Sequence, residues 1–172
     1  MEKAICSTCL KPKATLACEL CHESICKYCA QFLDDEAFAF LPERAPALQH
    51  VTYCNNCFTA AVAPQLEAYN ATIERAKEIL VFTKVQNKET RLIRRDEDVI
   101  HIGECDNREQ VVMRLAFKAA QENFNAVIDI ETVSKKVRNG SYQTTKWTGS
   151  GIPAHVNPDR LIRDRSFSTD PN

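Results

Sequence analysis

The chain has 172 residues, a formal net charge of −1, 44% hydrophobic residues and 26% charged residues. These values are typical of soluble proteins and allow one ordinary domain or two small ones. No apolar run approaches the roughly 20 residues of a membrane-spanning helix, and the first residues lack the basic and apolar segments of a secretory signal. We therefore expect a cytoplasmic protein, in which paired cysteines more often bind metal than form disulfides.

Cysteines dominate the N-terminal third of the chain. Eight of the nine lie in the first 57 residues, as four Cys-x-x-Cys pairs. A gap of two residues lets both thiolates of a pair face one ion, and two pairs complete a tetrahedral site. Four pairs therefore predict two zinc ions, all held by cysteine.

The spacing between the pairs indicates how they combine. Only four residues separate the second pair from the third. This short gap favours an interleaved cross-brace over two sequential sites, although sequential pairing stays open. In the interleaved arrangement the first zinc ion is held by the first and third pairs, which are Cys6, Cys9, Cys26 and Cys29. The second ion is held by the second and fourth pairs, which are Cys18, Cys21, Cys54 and Cys57.

The four pairs and the segment VTYCNNCF at residues 51–58 resemble the FYVE-type zinc finger over about residues 1–80. The resemblance implies two small antiparallel hairpins followed by a helix, and phosphatidylinositol 3-phosphate as the ligand. The basic lipid-binding motif of that family does not carry over. Around the third pair the chain reads HESICKYCA, in which Lys27 is the one basic match.

The charge of the finger also bears on its partner. Residues 1–57 contain five Lys or Arg and seven Asp or Glu. Each zinc ion held by four thiolates adds about −2, so the loaded finger carries about −6. Such a surface repels phosphate groups, which disfavours nucleic acid and also phosphoinositide membranes. A protein partner or self-association is the better prediction, with a membrane reader as the alternative.

Two apolar segments are candidates for partner binding. The loop at residues 31–50 contains Phe38, Phe40 and Leu41, which either cap the small core of the finger or form an exposed docking loop. After the last pair, apolar residues follow one another at alternating spacings of four and three, as in a coiled-coil seam. They are Val62, Leu66, Tyr69, Ile73, Ala76 and Leu80. This pattern predicts a helix over residues 63–81 that packs on the second domain or forms a homodimer through Leu66 and Ile73.

The C-terminal half predicts a small α/β domain. Strands are expected in ILVFTKVQ and ETRLIRR around an Asn87-Lys88 turn, and in DVIHIGEC. An amphipathic helix over residues 107–124 follows, capped by Asp106 or Asn107. A hairpin with its turn at Asn139-Gly140 comes next. The helix, the NAVIDIE segment and the hairpin resemble the YbjQ-like family of small α/β domains.

Together these patterns predict an α+β protein. A FYVE-like zinc finger at 1–62 and a connecting helix at 63–81 precede a YbjQ-like α/β domain with antiparallel strands at 82–157 and a mobile tail at 158–172. We find no catalytic constellation. The lone Cys105 is expected to be a buried or idle thiol, and the chain is expected to be a non-enzymatic adaptor.

Overall fold

The computed structural model describes residues 4–86 and 90–157. The chain divides between Ala71 and Thr72 into two compact units. The N-terminal part contains β1 Leu16–Ala17, β2 Ser24–Ile25, β3 Gln31–Phe32, β4 Thr52–Tyr53 and α1 Asn55–Cys57. Helix α2, Ala63–Lys77, begins in the first unit and ends in the second. The C-terminal part contains β5 Leu80–Thr83, β6 Ile100–Cys105, α3 Arg108–Gln121, β7 Ala126–Asn139 and β8 Tyr142–Ala154. None of the helices in these described ranges is long and apolar enough to cross a bilayer.

The first unit is built on two antiparallel sheets of two strands each. Leu16 of β1 lies opposite Ile25 of β2, and Gln31 of β3 lies opposite Tyr53 of β4. Strands of two residues bury little apolar surface, so the buried core gathers around the cysteines instead. Its buried members are Cys6, Cys18, Ile25, Cys26, Leu33, Phe38, Leu48, Tyr53, Cys54 and Val62. With four cysteines among ten members, the stability of this core depends on what the cysteines bind.

Helical backbone begins directly after Cys54, earlier than predicted. The Cys54 side chain caps this start by accepting a hydrogen bond from the backbone N–H of Cys57. Phe58–Val62 form a π-helical turn, in which the N–H of Ala63 bonds to the carbonyl of Phe58. Pro64 lacks the N–H that would bond to the carbonyl four residues earlier, and widening the preceding turn accommodates this missing donor.

The helix also ends earlier than predicted. α2 stops at Lys77, and Leu80 lies in strand β5, so the predicted extension to residue 81 is wrong. Within the first unit, Val62 is buried, and Leu66 and Tyr69 pack against the finger core. The first half of the predicted apolar seam is therefore covered by the chain's own finger.

The second unit contains a four-stranded sheet in the order β5-β7-β8-β6. β8 runs antiparallel to both β6 and β7, whereas β5 runs parallel to β7, with Leu80 opposite Ala126. The prediction of purely antiparallel strands is therefore wrong for β5. Between these two strands the chain forms β6 and α3, and such a long crossover can return the chain in the same direction.

The predicted strand ETRLIRR is also wrong over its described part. Residues 90–95 form a turn, in which the N–H of Ile93 bonds to the carbonyl of Thr90. The Arg95 guanidinium holds this turn to β7: its Nε lies 2.6 Å from Oδ2 of Asp129, and Nη1 donates to the carbonyls of Thr90 and Ile93. The predicted Asn87-Lys88 turn lies outside the described residues.

Helix α3 covers one face of this sheet. Asn107 caps it by accepting a hydrogen bond from the N–H of Gln110 at 2.7 Å, which confirms one of the two predicted caps. Val111 and Leu115 are fully buried in a cluster with residues of β7. The helix approaches β8 so closely that a Cβ added to Gly149 would lie 2.5 Å from Cγ1 of Val111. Close packing therefore requires glycine in this part of the TGSGIP segment.

β7 and β8 extend beyond their neighbours as a two-stranded ribbon. β5 pairs with β7 only as far as Ile130, and β6 pairs with β8 only as far as Trp147. From the pair Lys135–Lys146 to the turn, β7 and β8 pair only with each other among the described residues. Gly140, with φ of 60°, and Ser141 form the turn, one residue later than predicted. We call residues 135–146 the ribbon. The predicted mobile tail at 158–172 lies outside the described residues.

Candidate metal centre

The eight paired cysteines form two groups of four. In each group the four Sγ atoms lie within 4.8 Å of one another. The first tetrad is Cys6, Cys9, Cys26 and Cys29, and the second is Cys18, Cys21, Cys54 and Cys57. This is the predicted interleaved arrangement. The structure does not bring together the cysteines that sequential pairing would combine. His22 and Cys105 belong to neither tetrad.

The sulfur separations fit a tetrahedral metal ion. Sγ of Cys9 lies 3.9 Å from Sγ of Cys26, and Sγ of Cys21 lies 3.8 Å from Sγ of Cys54. A disulfide would bring two sulfurs to about 2.05 Å. Zinc with four sulfur ligands at about 2.3 Å places its ligands about 3.8 Å apart by tetrahedral geometry. The tetrads therefore have the size of occupied four-thiolate sites.

Each tetrad combines one pair that is followed by a residue of positive φ with one pair that is not. In the first and second pairs the chain reverses: Leu10 N–H bonds to the Cys6 carbonyl and His22 N–H to the Cys18 carbonyl, each at 2.8 Å. Leu10 and His22 both adopt a positive φ, 57° and 62°.

The third and fourth pairs close the same kind of hydrogen bond, but the residue after each of them has no positive φ. Ala30 N–H bonds to the Cys26 carbonyl at 3.0 Å, and Phe58 N–H to the Cys54 carbonyl at 2.9 Å. The two tetrads are therefore built from the same two kinds of local structure.

Backbone N–H groups stabilise the charged form of some thiols in both tetrads. Hydrogen bonds from backbone N–H groups, that of Cys9 first, lower the pKa of Cys6 to about 6. Burial alone would raise the pKa of Cys18, but the N–H groups of Cys21, Cys54 and Leu20 outweigh it and lower this pKa to about 6. These donors have no signature in the sequence, because any residue except proline offers an N–H at the required position.

Other thiols of the same tetrads resist ionisation. The neighbouring thiol of Cys26 and burial raise the pKa of Cys29 to about 12. Burial and the neighbouring Cys54 raise the pKa of Cys57. Four thiolates so close together repel one another, so they are all ionised only when a cation lies between them. A divalent metal ion supplies that charge, and its binding releases the remaining protons.

The structure brings most of the predicted partner-binding residues into the finger core. Phe38 is 1% exposed and packs edge-to-face on Tyr69, with ring centroids 5.0 Å apart. The N–H of Phe40 donates to the Tyr69 hydroxyl at 3.3 Å, and Leu41 and Leu66 are partly buried against the same core. Phe38 is therefore not part of an exposed docking loop. The loop caps the core, as in the first of the two readings of its sequence. Ile73, in the second unit, is partly buried.

The finger also carries a small cationic surface that was not predicted from the sequence. Tyr28 is 75% exposed, and the ammonium groups of Lys13 and Lys27 lie 4.6 Å and 5.1 Å from its ring centroid. Lys13 and Tyr28 are 15 positions apart, so their spacing alone gave no signal of this contact.

Comparisons with models of protein families, with curated proteins and with solved structures find no match for this chain. The resemblances to the FYVE-type finger and to the YbjQ-like domain therefore stay predictions from the sequence.

Proposed function

We propose that the chain is a non-enzymatic adaptor whose N-terminal unit is held together by two structural zinc ions. The observation that supports this is the pair of tetrads, with sulfur separations of 3.8 Å and 3.9 Å. Tetrahedral sites made only of thiolates select zinc or iron among the common metals. Four protein ligands leave no open position for a substrate, which favours a structural role over a catalytic one.

Metal binding would supply the stability that the first unit lacks. Its sheets have two strands of two residues each, and four of the ten buried core members are cysteines. Structural zinc contributes about 10–16 kcal/mol of apparent binding free energy per site at neutral pH, and this energy becomes folding free energy. A metal-held finger without a catalytic position is suited to presenting a surface to a protein partner.

Metal analysis of double variants tests this proposal. The purified chain should contain two zinc ions, and Cys6→Ser with Cys26→Ser should leave one, because both substitutions damage the same site. Cys6→Ser with Cys18→Ser should leave none, because the substitutions fall in different sites. Sequential pairing would give the reverse result for these two variants. Cys105→Ser is the control and should retain both ions. A red, iron-containing protein would overturn the zinc assignment.

A membrane reader is the second candidate function, favoured by the exposed Tyr28 between Lys13 and Lys27. Exposed aromatic rings between cations suit the interface of an anionic bilayer. Flotation with vesicles containing phosphatidylinositol 3-phosphate, against vesicles of neutral lipid, separates the two functions. An adaptor should show no preference. Saturable binding to the phosphoinositide that Lys13→Gln with Lys27→Gln abolishes would replace the adaptor by the membrane reader.

Self-association is the simplest form of the protein-partner proposal. Light scattering of the zinc-loaded chain over a range of concentrations measures it directly. A mass of two chains supports a homodimer, and a mass of one chain at all concentrations restricts the proposal to a different protein as partner. Leu66→Asp is unsuitable as an interface probe, because Leu66 packs against the finger core.

A further inference from the structure

The ribbon concentrates positive charge in a chain that is acidic elsewhere. Its residues 135–146 include four basic side chains, and no Asp or Glu occurs between Thr132 and Ala154. The four are Lys135, Lys136, Arg138 and Lys146. The whole chain has a formal net charge of −1, so this local excess is balanced by acids elsewhere. The negative charge that disfavours nucleic acid lies on the finger, whereas the ribbon is positive.

Three of these four cations have no acidic partner among the described residues. The Lys146 ammonium pairs with Asp106. Lys135, Lys136 and Arg138 are exposed and take part in none of the ion pairs found in the described ranges. The register also places Lys135 directly opposite Lys146. Asp106 offsets the charge of Lys146, whereas Lys135 keeps an uncompensated charge that suits an anionic ligand.

The shape of the ribbon fits a groove lined by phosphates. Successive side chains of a strand point to opposite faces, so Lys135 lies on one face and Lys136 and Arg138 on the other. The exposed tip carries Tyr142, which is 80% exposed. From Lys135 to the turn the ribbon reaches about 17 Å at about 3.3 Å per residue. The major groove of B-form DNA is about 12 Å wide and about 8.5 Å deep, and it admits a two-stranded β-ribbon.

We propose that the ribbon is an arm that binds duplex DNA through its phosphate groups, without sequence preference. Lys135, Lys136 and Arg138 would supply the phosphate contacts, and the hydroxyl and amide groups of Gln143, Thr144 and Thr145 would add hydrogen bonds. Duplex RNA is a poorer ligand, because its major groove is too narrow for such an arm. This inference is independent of the zinc ions, since the ribbon belongs to the second unit.

Fluorescence anisotropy with a labelled 20-base-pair DNA of mixed sequence tests the proposal on the full zinc-loaded chain. We expect a Kd of about 10⁻⁶ to 10⁻⁴ M at physiological salt, the range of non-specific binding. Three phosphate contacts give a slope of about −2.7 in log K against log salt, so affinity should fall about 40-fold between 50 and 200 mM salt. The variant with Lys135→Gln, Lys136→Gln and Arg138→Gln should lose measurable binding.

A matched variant separates the ribbon from overall charge. Arg91→Gln, Arg94→Gln and Arg108→Gln remove the same charge from exposed positions elsewhere in the unit and should leave the affinity within about twofold. Equal loss in both variants, or no binding by the native chain, would overturn the proposal. So would tighter binding to duplex RNA, to single strands, to a polyglutamate peptide or to anionic vesicles. Because the altered side chains are exposed, unchanged thermal unfolding is expected and should be checked for both variants.

Discussion

Leu10 and His22 adopt a strained backbone conformation, and contacts of their side chains do not offset the strain. Both follow the second cysteine of a pair in the left-handed conformation, with φ of 57° and 62°. For residues with a Cβ this conformation costs about 1–2 kcal/mol. Leu10 is 74% exposed, so little packing offsets the cost. The chain must change direction after each of these two pairs, and the left-handed φ of Leu10 and His22 provides that change.

Leu10→Gly should therefore stabilise the finger. Glycine removes the strain but gains freedom in the unfolded chain, which costs about 0.4–1 kcal/mol. We expect a net gain of about 0.5–1 kcal/mol, measured as thermal unfolding at a fixed concentration of free zinc. Lys11→Gly is the control, since φ of Lys11 is not positive, and it should destabilise the finger. A loss of stability in Leu10→Gly would show that its side chain contributes more than its exposure indicates.

Single residues were predictable where their chemistry is local. Cysteine spacing predicted the membership of both tetrads. Asn107 was one of the two predicted caps, because an amide next to a periodic apolar run acts on its own backbone. Leu10 was not predictable, because a glycine would have marked the left-handed position and leucine does not. The burial of Phe38 was left open, because the sequence does not show that Tyr69 packs on its ring.

Among the elements, the contact between α3 and β8 requires that residue 149 has no side chain. The nearest atoms to a Cβ built on Gly149 would be Cγ1 of Val111 at 2.5 Å and the carbonyl oxygen of Glu131 at 2.9 Å. The oxygen belongs to the backbone of a paired strand and cannot move alone. The helix therefore lies against the sheet at a distance that only glycine permits.

Gly149→Ala should destabilise the second unit by about 1–3 kcal/mol, the usual cost of overpacking. Gly103→Ala is the matched control, because a Cβ there meets no atom within 4 Å, and it should change stability by less than about 0.5 kcal/mol. Urea unfolding followed by fluorescence of Trp147, the one tryptophan in the chain, measures both. Equal effects would mean that α3 adjusts its position without cost.

Secondary-structure elements were predicted correctly where local periodicity determines them. The predictions were wrong where residues distant in the sequence determine the structure. Strand β6 was predicted in DVIHIGEC and lies at Ile100–Cys105, and the helix predicted at 107–124 lies at Arg108–Gln121. The segment ETRLIRR has the β-branched and apolar content of a strand, yet Arg95 bonds to Asp129, 34 positions away. Likewise the parallel pairing of β5 with β7 joins residues 80 and 126, and no local pattern reports it.

Metal dependence should divide the chain into two parts. Both tetrads lie before residue 58, whereas the second unit has its own buried clusters of aliphatic and aromatic side chains. A zinc chelator should therefore collapse the amide dispersion of residues 4–71 in NMR spectra and leave that of the sheet strands and α3.

Trp147 fluorescence gives an independent check on this division, because its side chain packs on the cluster of the second unit. It should not change when the chelator removes the ions. Loss of dispersion in both units would show that they form one metal-dependent core. In that case the predicted division into a metal-dependent finger and an independent α/β domain would be wrong.

The interleaving of the tetrads also imposes an order on synthesis at the ribosome. The first site is complete when Cys29 has been made, but the second is complete only with Cys57, 28 residues later. At about 5–20 residues per second this delay lasts about 1–6 s. During that time Cys18 and Cys21 are a spare pair inside the loop that the first ion closes. The hairpin of β1 and β2, which joins Leu16 to Ile25, forms within microseconds. Strand pairing can thus direct the third pair to the first ion before the spare thiolates capture it.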